Sequence, residues 1–163
     1  MSGELKPVID SYYAYWFGIS AFYETWAKQR GLTANGLFAL YVLHETPLHC
    51  TQRLICEKLQ LPKQTVNAIL ESFEKKGYVL KKVAEDDRRS KHLLLTQAGQ
   101  RYTDALLTEL FQFEERALRA MQPEEQAALV RSSHLFLKEL LANLEPENPS
   151  ALPAIARSAA SQN

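Results

Sequence analysis

A short charged segment between two apolar runs carries the residues with the most distinctive chemistry in this sequence. The runs YVL and HLLL flank EDDRRSK, in which three acids directly precede two arginines. A carboxylate can hold a guanidinium in a fixed bidentate geometry, and an arginine held in this way can enter a narrow, strongly negative minor groove of DNA. Asp87 is therefore the predicted clamp and Arg89 the predicted minor-groove probe. Arg88 and Lys91 are predicted phosphate contacts, and a self-neutralising surface loop is the alternative.

A second polar set follows Pro62. Val66, Ile69, Leu70 and Phe73 recur at helical spacing, which turns five other residues outward on the first two turns: Lys63, Gln64, Thr65, Asn67 and Ala68. Gln and Asn can pair with adenine in a bidentate manner, Thr can bond several bases, and an Ala methyl can touch a thymine methyl. The free N–H groups at such a helix start also favour a nearby phosphate. An ordinary polar helix face is the alternative.

The local charge distribution favours a nucleic-acid partner more than the overall charge does. The formal net charge of the 163 residues is zero. Residues 75–91 nevertheless contain seven lysines or arginines against three acids, an excess of four positive charges. Such a patch is typical of a phosphate-contacting surface, although a solvated charged face has the same composition.

Length and composition predict one folded cytoplasmic protein. A chain of 163 residues with 46% apolar residues can form one domain with a core. No apolar run approaches the roughly 18 residues of a membrane span, and the start MSGELKPVID lacks the features of a secretory signal. Cys50 and Cys56 are therefore predicted to be free thiols in a reducing compartment.

Hydrophobic spacing predicts helices on both sides of a charged hairpin. The first predicted helix spans residues 7–30, and the fourth runs from Pro62 to Gly77. Caps predict the starts of three others: Thr33 or Asn35 for the second helix, Thr51 for the short third and Thr96 for the fifth. The sixth helix is predicted to start at Pro123. The runs YVLKKV and KHLLL form the hairpin. This order contains a winged helix-turn-helix, whose second helix presents its start to the major groove of DNA.

The sequence also resembles a known family at these positions. The stretch LPKQTVNAILESFEKKGYVLKKVAEDDRRSKHLLLTQAGQ resembles the core of the MarR (multiple antibiotic resistance regulator) family in its recognition helix, its KKGYV turn, its Asp-Arg-Arg wing tip, and Leu95, Thr96 and Gly99. The residue motifs cover about residues 51–102, and the helix order extends the resemblance over residues 7–144. It implies a mainly α fold, namely a winged helix-turn-helix with a two-stranded wing and a helical dimerisation lobe formed by the N- and C-terminal helices.

The resemblance further implies a homodimeric regulator, a repressor or less often an activator, bound to a pseudo-palindrome in double-stranded DNA. In the family, the arginine matching Arg89 enters the minor groove and the acid matching Asp87 supports it. Residues 1–144 would form a single domain, with dimerisation helices at residues 7–30 and 97–144 and the winged helix-turn-helix at residues 33–96. Residues 145–163 are rich in Pro, Ala and Ser and are predicted to be a flexible tail.

The apolar helices at both chain ends support a dimer independently of the resemblance. Their apolar coverage exceeds what a winged helix of roughly 70 residues can cover internally. A monomer with a self-contained helical cap is the alternative.

Three modes of control are open. Members of the family respond to small aromatic or phenolic molecules bound between the two lobes, and the predicted effector-pocket residues are Tyr12, Trp16, Tyr23 and Tyr41. For most aromatic rings of the first helix, core and dimer packing is the alternative. Oxidation at Cys50 is a second mode, because a helix dipole there would lower the thiol pKa. Zinc is a third, through His44, His49 and Cys50 with Glu24 and His134, but no i, i+4 ligand pair is present.

Nothing in the sequence indicates catalysis. The chain has no glycine-rich phosphate loop and no nucleophile elbow, and Asp86 and Asp87 are adjacent rather than opposed across a cleft. We therefore predict a protein that is not an enzyme and binds no cofactor or metal, with DNA, a second copy of the chain and a small aromatic ligand as its partners. A winged helix that contacts only proteins is the remaining alternative, and salt-dependent duplex binding would distinguish the two.

Overall fold

The computed structural model describes residues 3–83 and 91–143, which are mainly helical with one two-stranded antiparallel sheet. The elements are, in chain order, α1 (Lys6–Lys28), α2 (Ala34–Glu45), α3 (Gln52–Leu59), α4 (Lys63–Lys75), β1 (Val79–Val83), β2 (Lys91–Leu95), α5 (Gln97–Arg119) and α6 (Pro123–Ala142). The predicted winged helix-turn-helix is confirmed, with α3 and α4 as its helix pair and β1 and β2 as its wing. The predicted tail, residues 145–163, lies outside the described residues.

Threonine side chains start three of the helices, as the sequence predicted. In each case the hydroxyl oxygen accepts a bond from a backbone N–H three residues on: Thr33 from Gly36 at 3.0 Å, Thr51 from Leu54 at 3.1 Å, and Thr96 from Gly99 at 3.0 Å. Each bond satisfies one of the amides that a helix start leaves unpaired. Pro62 was predicted to begin α4 but occupies the position before its first residue, without a side-chain cap.

Two of the predicted helix stops rely on glycine. Gly31 follows α1 with φ +68°, and Gly77 follows α4 with φ +70°. These left-handed conformations strain a residue that has a Cβ atom. Glycine at these positions therefore allows the chain to leave each helix at a sharp angle.

The core lies in the winged-helix half and is centred on α2. This helix packs against α1, α3, α4, α5 and β2, and Leu37, Leu40 and Leu43 are at most 1% exposed. The surrounding elements contribute further fully buried side chains, including Ile55, Leu70, Leu93 and Leu107. A helix that is apolar on most of its circumference must be surrounded in this way.

The terminal helices, by contrast, are poorly covered within one chain. α6 has no buried residue, and α1 buries only Trp26 and Ala27 among its 23 residues. Their exposed large apolar side chains include Val8, Tyr15, Trp16, Phe17, Val130, Phe136 and Leu140. A single chain therefore leaves extended apolar faces open to solvent, which is uncommon for a monomer. Within the described residues, no helix has the length and apolar character needed to cross a membrane.

Arg30 fastens the end of α1 to α5. Its guanidinium carbon lies 3.7 Å from the centroid of the Trp26 ring, and its Nη1 donates to the Trp26 carbonyl at 3.0 Å. It also pairs with Glu109 on α5, and this hydrogen bond lowers the pKa of the Glu109 carboxyl. Further along α1, the Tyr23 hydroxyl donates to Glu114 Oε1 at 2.8 Å. These contacts set the position of α1 relative to the helix that follows the wing.

Candidate nucleic-acid interface

A tight turn fixes the start of α4 beside α3. Gln60 ends α3 in the left-handed region with φ 52°, and the next amide, that of Leu61, donates to the Cys56 carbonyl at 3.2 Å. The Gln52 side chain at the start of α3 donates to the Lys63 carbonyl at 3.2 Å. The two helix starts are therefore joined directly, as a helix-turn-helix requires.

The inner face of α4 is the one that the sequence predicted. Val66 and Leu70 are fully buried, Phe73 is 2% exposed, and Ile69 is partly buried against the same core. Burial of these side chains fixes the rotation of α4 about its axis. The helix therefore presents a defined outer face.

The five predicted contact residues divide between two sides of α4. Lys63, Gln64 and Ala68 are exposed and Asn67 is half-buried, and the helical repeat places these four on one face. Thr65 is also half-buried and lies on the flank of α4, where it lines a groove toward α2 together with Ala68 at the edge of the outer face.

Sequence reasoning missed one residue of the outer face, Glu71. It is exposed and lies one turn beyond Asn67, whose Nδ2 donates to Glu71 Oε1 at 2.8 Å. The i, i+4 spacing of an amide and a carboxylate was the signal that could have found it. The outer face thus extends over three turns of the helix.

The start of α4 leaves its backbone amides available. The helix has no side-chain cap and no acidic residue in its first turn. Lys63 at the first helical position adds a positive charge to the positive end of the helix dipole. An anion is the group that such an arrangement favours.

The wing lies beside α4 and is fastened to the helix pair. β1 and β2 pair in antiparallel register from Val79 opposite Leu95 to Val83 opposite Lys91. Lys81 Nζ donates to Glu74 Oε2 on α4 at 3.0 Å, and the Leu93 amide donates to the Cys50 carbonyl at 2.8 Å. Both strands of the wing are thus tied to the helix-turn-helix.

The predicted wing contacts fall in different parts of the structure. Lys91 begins β2 and is exposed. Asp87, Arg88 and Arg89 lie outside the described residues. The clamp of Asp87 on Arg89 therefore remains a prediction from sequence.

The base of the wing closes against the start of α5. The Thr96 amide donates to the Tyr78 carbonyl at 2.9 Å, and the Thr96 hydroxyl donates to the Gly77 carbonyl at 2.6 Å. A Cβ atom on Gly99 would lie 2.0 Å from the same Tyr78 carbonyl oxygen. The Tyr78 and Tyr102 rings stack with their centroids 4.6 Å apart. Only glycine at position 99 allows the two segments to approach so closely.

Comparison with known proteins shows similarity to one family over part of the chain. Residues 30–90, from the end of α1 to the wing, match the model of the MarR family. The NMB1585 structure, a MarR family regulator from Neisseria meningitidis, is 26% identical and superimposes with a TM-score of 0.67, covering 82% of this chain and 93% of that chain. Residues 30–90 of this chain are therefore similar to the MarR family.

Two other similar proteins extend the comparison. The chain is 26% identical over 109 residues to the uncharacterized HTH-type transcriptional regulator YwoH of Bacillus subtilis (strain 168), covering 63% of this chain and 79% of YwoH. The S. aureus MepR–DNA complex is 24% identical, with a TM-score of 0.67 over 78% of this chain and 97% of MepR. The second likeness shows a shared fold.

The four predicted effector-pocket residues make their contacts in different parts of the structure. Trp16 is 52% exposed. The Tyr12 ring packs against Phe136, with 4.9 Å between ring centroids, and the Tyr41 ring packs against Phe111 at 6.4 Å. The Tyr23 ring packs against Phe38 at 5.1 Å, and its hydroxyl donates to Glu114 at 2.8 Å. Burial first, and then the Glu114 carboxylate, raise the pKa of Tyr23 above its ordinary value.

Two grooves occur elsewhere. One lies between α1 and α5, has a volume of about 440 Å³, and is lined by Gly18, Ala21, Phe22, Thr25, Trp26, Gln29 and Phe113. The buried Nε1 of Trp26 has no hydrogen-bond partner in the described part of the chain. The second, of about 690 Å³, lies between α4 and the start of α2, and Thr65, Ala68, Ser72, Lys28 and Lys76 are among its lining residues. None of the four predicted effector residues lines either groove.

The expectation of a lowered pKa at Cys50 was wrong in direction. Its side chain is fully buried, and burial raises the pKa of the thiol above its ordinary value. The apolar surroundings of Cys50 disfavour the charged thiolate. Cys56 is partly exposed, burial also raises its pKa, and both cysteines are free thiols.

The candidate zinc ligands do not form a cluster in the described part of the chain. Over residues 3–83 and 91–143, no group of three or more His, Cys, Asp or Glu side chains is placed to hold a metal ion. His44, one of the candidate ligands, instead approaches Glu45 Oε1 at 3.1 Å and Asp104 Oδ1 at 3.2 Å. Its ring thus links the end of α2 to α5.

Proposed function

We propose that this protein is a MarR family regulator, a homodimer that binds a pseudo-palindromic operator in double-stranded DNA. In each protomer α4 lies in the major groove, and the wing reaches the adjacent minor groove through Arg89, which Asp87 holds. The observation that carries the proposal is the exposed face at the uncapped start of α4, where Lys63 and Gln64 stand beside free backbone amides. That combination suits phosphate contact at the helix start and base contact along the face.

Similarity to a solved complex supports the same docking mode. S. aureus MepR, which shares the fold, has been solved as a DNA complex. On this chain, Lys63, Gln64, Asn67 and Ala68 would meet base edges or nearby phosphates. Thr65, on the flank of α4, would contact the phosphate backbone, as would Arg88 and Lys91 from the wing.

The uncovered terminal helices support the dimer. α1 and α6 expose apolar faces that a second copy of the chain can bury, and a two-fold axis buries the same face on both copies. Residues 7–30 and 97–144 would then form the dimerisation lobe of a single domain, and residues 33–96 would read DNA. The symmetry would place the two recognition helices roughly 34–36 Å apart, one turn of duplex.

Repression released by a small aromatic ligand is the regulatory part of the proposal. The aromatic groove between α1 and α5 supports it, because Phe22, Trp26 and Phe113 line one space. Apolar walls with a few polar groups are typical of small-molecule sites. A ligand in this groove would contact both helices that join the two lobes and could change the spacing of the recognition helices.

Fluorescence anisotropy of a mixed-sequence duplex over a salt series tests DNA binding. A protein that neutralises Z phosphates loses affinity with a slope of about −0.9 Z in log affinity against log salt. We expect a steep negative slope because two copies of the interface contact the duplex. No binding at low salt, or a slope near zero, would instead favour a winged helix that contacts proteins.

Replacing Gln64 with Ala should relax the preference at one base position of each half-site. The exposed Gln64 amide can form a bidentate pair with a base edge, which contributes about 1–3 kcal/mol of discrimination. The measurement is competition between operator duplexes that differ at single positions. An equal loss on every sequence would assign Gln64 to the DNA backbone.

Replacing Arg89 with Ala should weaken operator binding by about tenfold or more, because the minor-groove probe and its charge are lost. Arg131→Ala is the matched control, since Arg131 is exposed on α6 and lies outside the proposed DNA-contacting residues, and sedimentation velocity would check that this variant keeps the oligomeric state of the wild type. Both variants would be titrated with the selected operator at moderate salt. Unchanged affinity of Arg89→Ala would reject the minor-groove role.

A further inference from the structure

An acid at the far end of the proposed DNA-contacting face requires a reason. Lys63, Gln64, Asn67 and Ala68 share their side of α4 with the exposed Glu71. A carboxylate at this place repels the phosphates that flank the major groove. Because the Glu71 carboxylate lowers the affinity for DNA, we looked for a contribution to base specificity instead.

The contact that Glu71 makes indicates what this is. Glu71 Oε1 accepts a hydrogen bond from Asn67 Nδ2 at 2.8 Å. Bonds to an ionised acceptor are stronger than those between neutral groups, and this one is enclosed when DNA covers the face. The bond therefore restricts the rotation of the Asn67 amide plane.

The chemistry of the asparagine amide makes the restriction useful. The amide has two N–H groups and one carbonyl oxygen. Bidentate recognition of adenine uses the oxygen and the N–H on the same edge, which meet adenine N6 and N7. The second N–H points the other way, and it is the group available to a carboxylate one turn further along the helix. With that N–H held, the reading edge faces outward, and a flipped amide loses the bond to Glu71.

We propose that Glu71 is a positioning residue for base readout, holding the Asn67 amide so that its oxygen and free N–H face an adenine in the major groove. This inference rests on the proposed function. The other acid on the same side of α4, Glu74, is instead engaged by Lys81 of the wing at 3.0 Å. Gln64, the second amide of the face, has no such carboxylate partner among the described residues. Asn67 is therefore the more discriminating of the two amides.

The test compares Glu71→Ala, Glu71→Gln, Asn67→Ala and the double variant Asn67→Ala/Glu71→Ala, each carried through selection of duplexes and then competition at single base pairs. Glu71→Ala should lose about tenfold of the preference at one A·T pair in each half-site. Its affinity for a mixed-sequence duplex should stay equal or rise, because a negative charge has been removed. Glu71→Gln retains an oxygen acceptor for Asn67 and should keep the preference.

The double variant distinguishes positioning from direct contact. If Glu71 acts through Asn67, the double variant loses no more preference than Asn67→Ala alone, and both act at the same base pair. Ser72→Ala is the matched control, because it removes an exposed polar side chain from the flank of the same helix, and it should leave that pair unaffected.

Three results would overturn the inference while leaving the proposed function intact. The first is an unchanged preference for the A·T pair in Glu71→Ala, and the second is loss of that preference in Glu71→Gln. The third is that Glu71→Ala and Asn67→Ala change the preference at different base pairs. A wild-type protein that enriches no duplex would remove the proposed function itself, and the inference with it.

Discussion

Replacing Leu140 with Glu is expected to convert the proposed dimer into monomers. Leu140 is 48% exposed within one chain and lies on the apolar face of α6, one turn beyond Phe136, which packs edge-on against Tyr12 of α1. Loss of a leucine side chain buried in the interface costs about 2 kcal/mol of association free energy. Two-fold symmetry places the substitution in the interface twice, which doubles this cost to about 4 kcal/mol. The dissociation constant should therefore rise by at least about a thousandfold, since 4 kcal/mol corresponds to that factor.

The matched control for Leu140→Glu is the same substitution at Leu48. That leucine is 72% exposed between α2 and α3, away from the terminal helices, so its replacement should leave the dimer intact. Sedimentation velocity over a concentration series measures both variants. A Leu140→Glu protein that stays dimeric wherever the wild type is dimeric would show that this face of α6 is not in the interface.

Replacing Gly99 with Ala should lower the free energy of unfolding by about 3 kcal/mol or more. The new Cβ would lie 2.0 Å from the Tyr78 carbonyl oxygen and 2.8 Å from its carbon. Tyr78 cannot retreat without breaking its bond from the Thr96 amide at 2.9 Å. Relief of the clash would also shift the wing relative to α5, so DNA affinity should fall in whatever fraction remains folded.

Gly36→Ala is the control for this clash. Its Cβ would meet nothing closer than the Thr33 hydroxyl at 3.3 Å, and alanine favours a helix by about 1 kcal/mol over glycine. Urea unfolding should therefore give a change within about 1 kcal/mol for Gly36→Ala and a much larger loss for Gly99→Ala. Equal stability of the two variants would contradict the close approach of α5 to the wing base.

The features predicted correctly from sequence are those that local chemistry determines. Thr33, Thr51 and Thr96 cap helices because their oxygens reach an amide three residues away, whatever the rest of the fold does. The inner face of α4 follows from the helical repeat of Val66 and Leu70. The order of elements then suffices to recognise the winged helix.

The features that sequence reasoning did not reach depend on contacts between distant segments. Gly99 was marked by its motif, but its role arises from the approach of Tyr78, 21 residues earlier. The pKa direction at Cys50 was wrong because burial raises the pKa of the thiol, and burial by distant segments is not visible in the local sequence.

The aromatic residues show the same limit. Spacing placed Tyr12 and Tyr23 on one face of α1, but it could not say which partner rings each would find. The structure pairs Tyr12 with α6, through Phe136, and Tyr23 with α2 and α5, through Phe38 and Glu114. Glu71 was missed because only the first two turns of α4 were considered as the reading face.

Selection of bound duplexes from a random DNA pool, with the full chain at about physiological salt, tests the central claim most directly. We expect enrichment of an inverted repeat whose half-sites are about one turn, roughly 10–10.5 base pairs, apart. Enrichment of a single half-site without a symmetric partner would contradict the dimeric docking mode. No enrichment, before and after denaturation and refolding to remove any bound ligand, would contradict sequence-specific DNA binding by this protein.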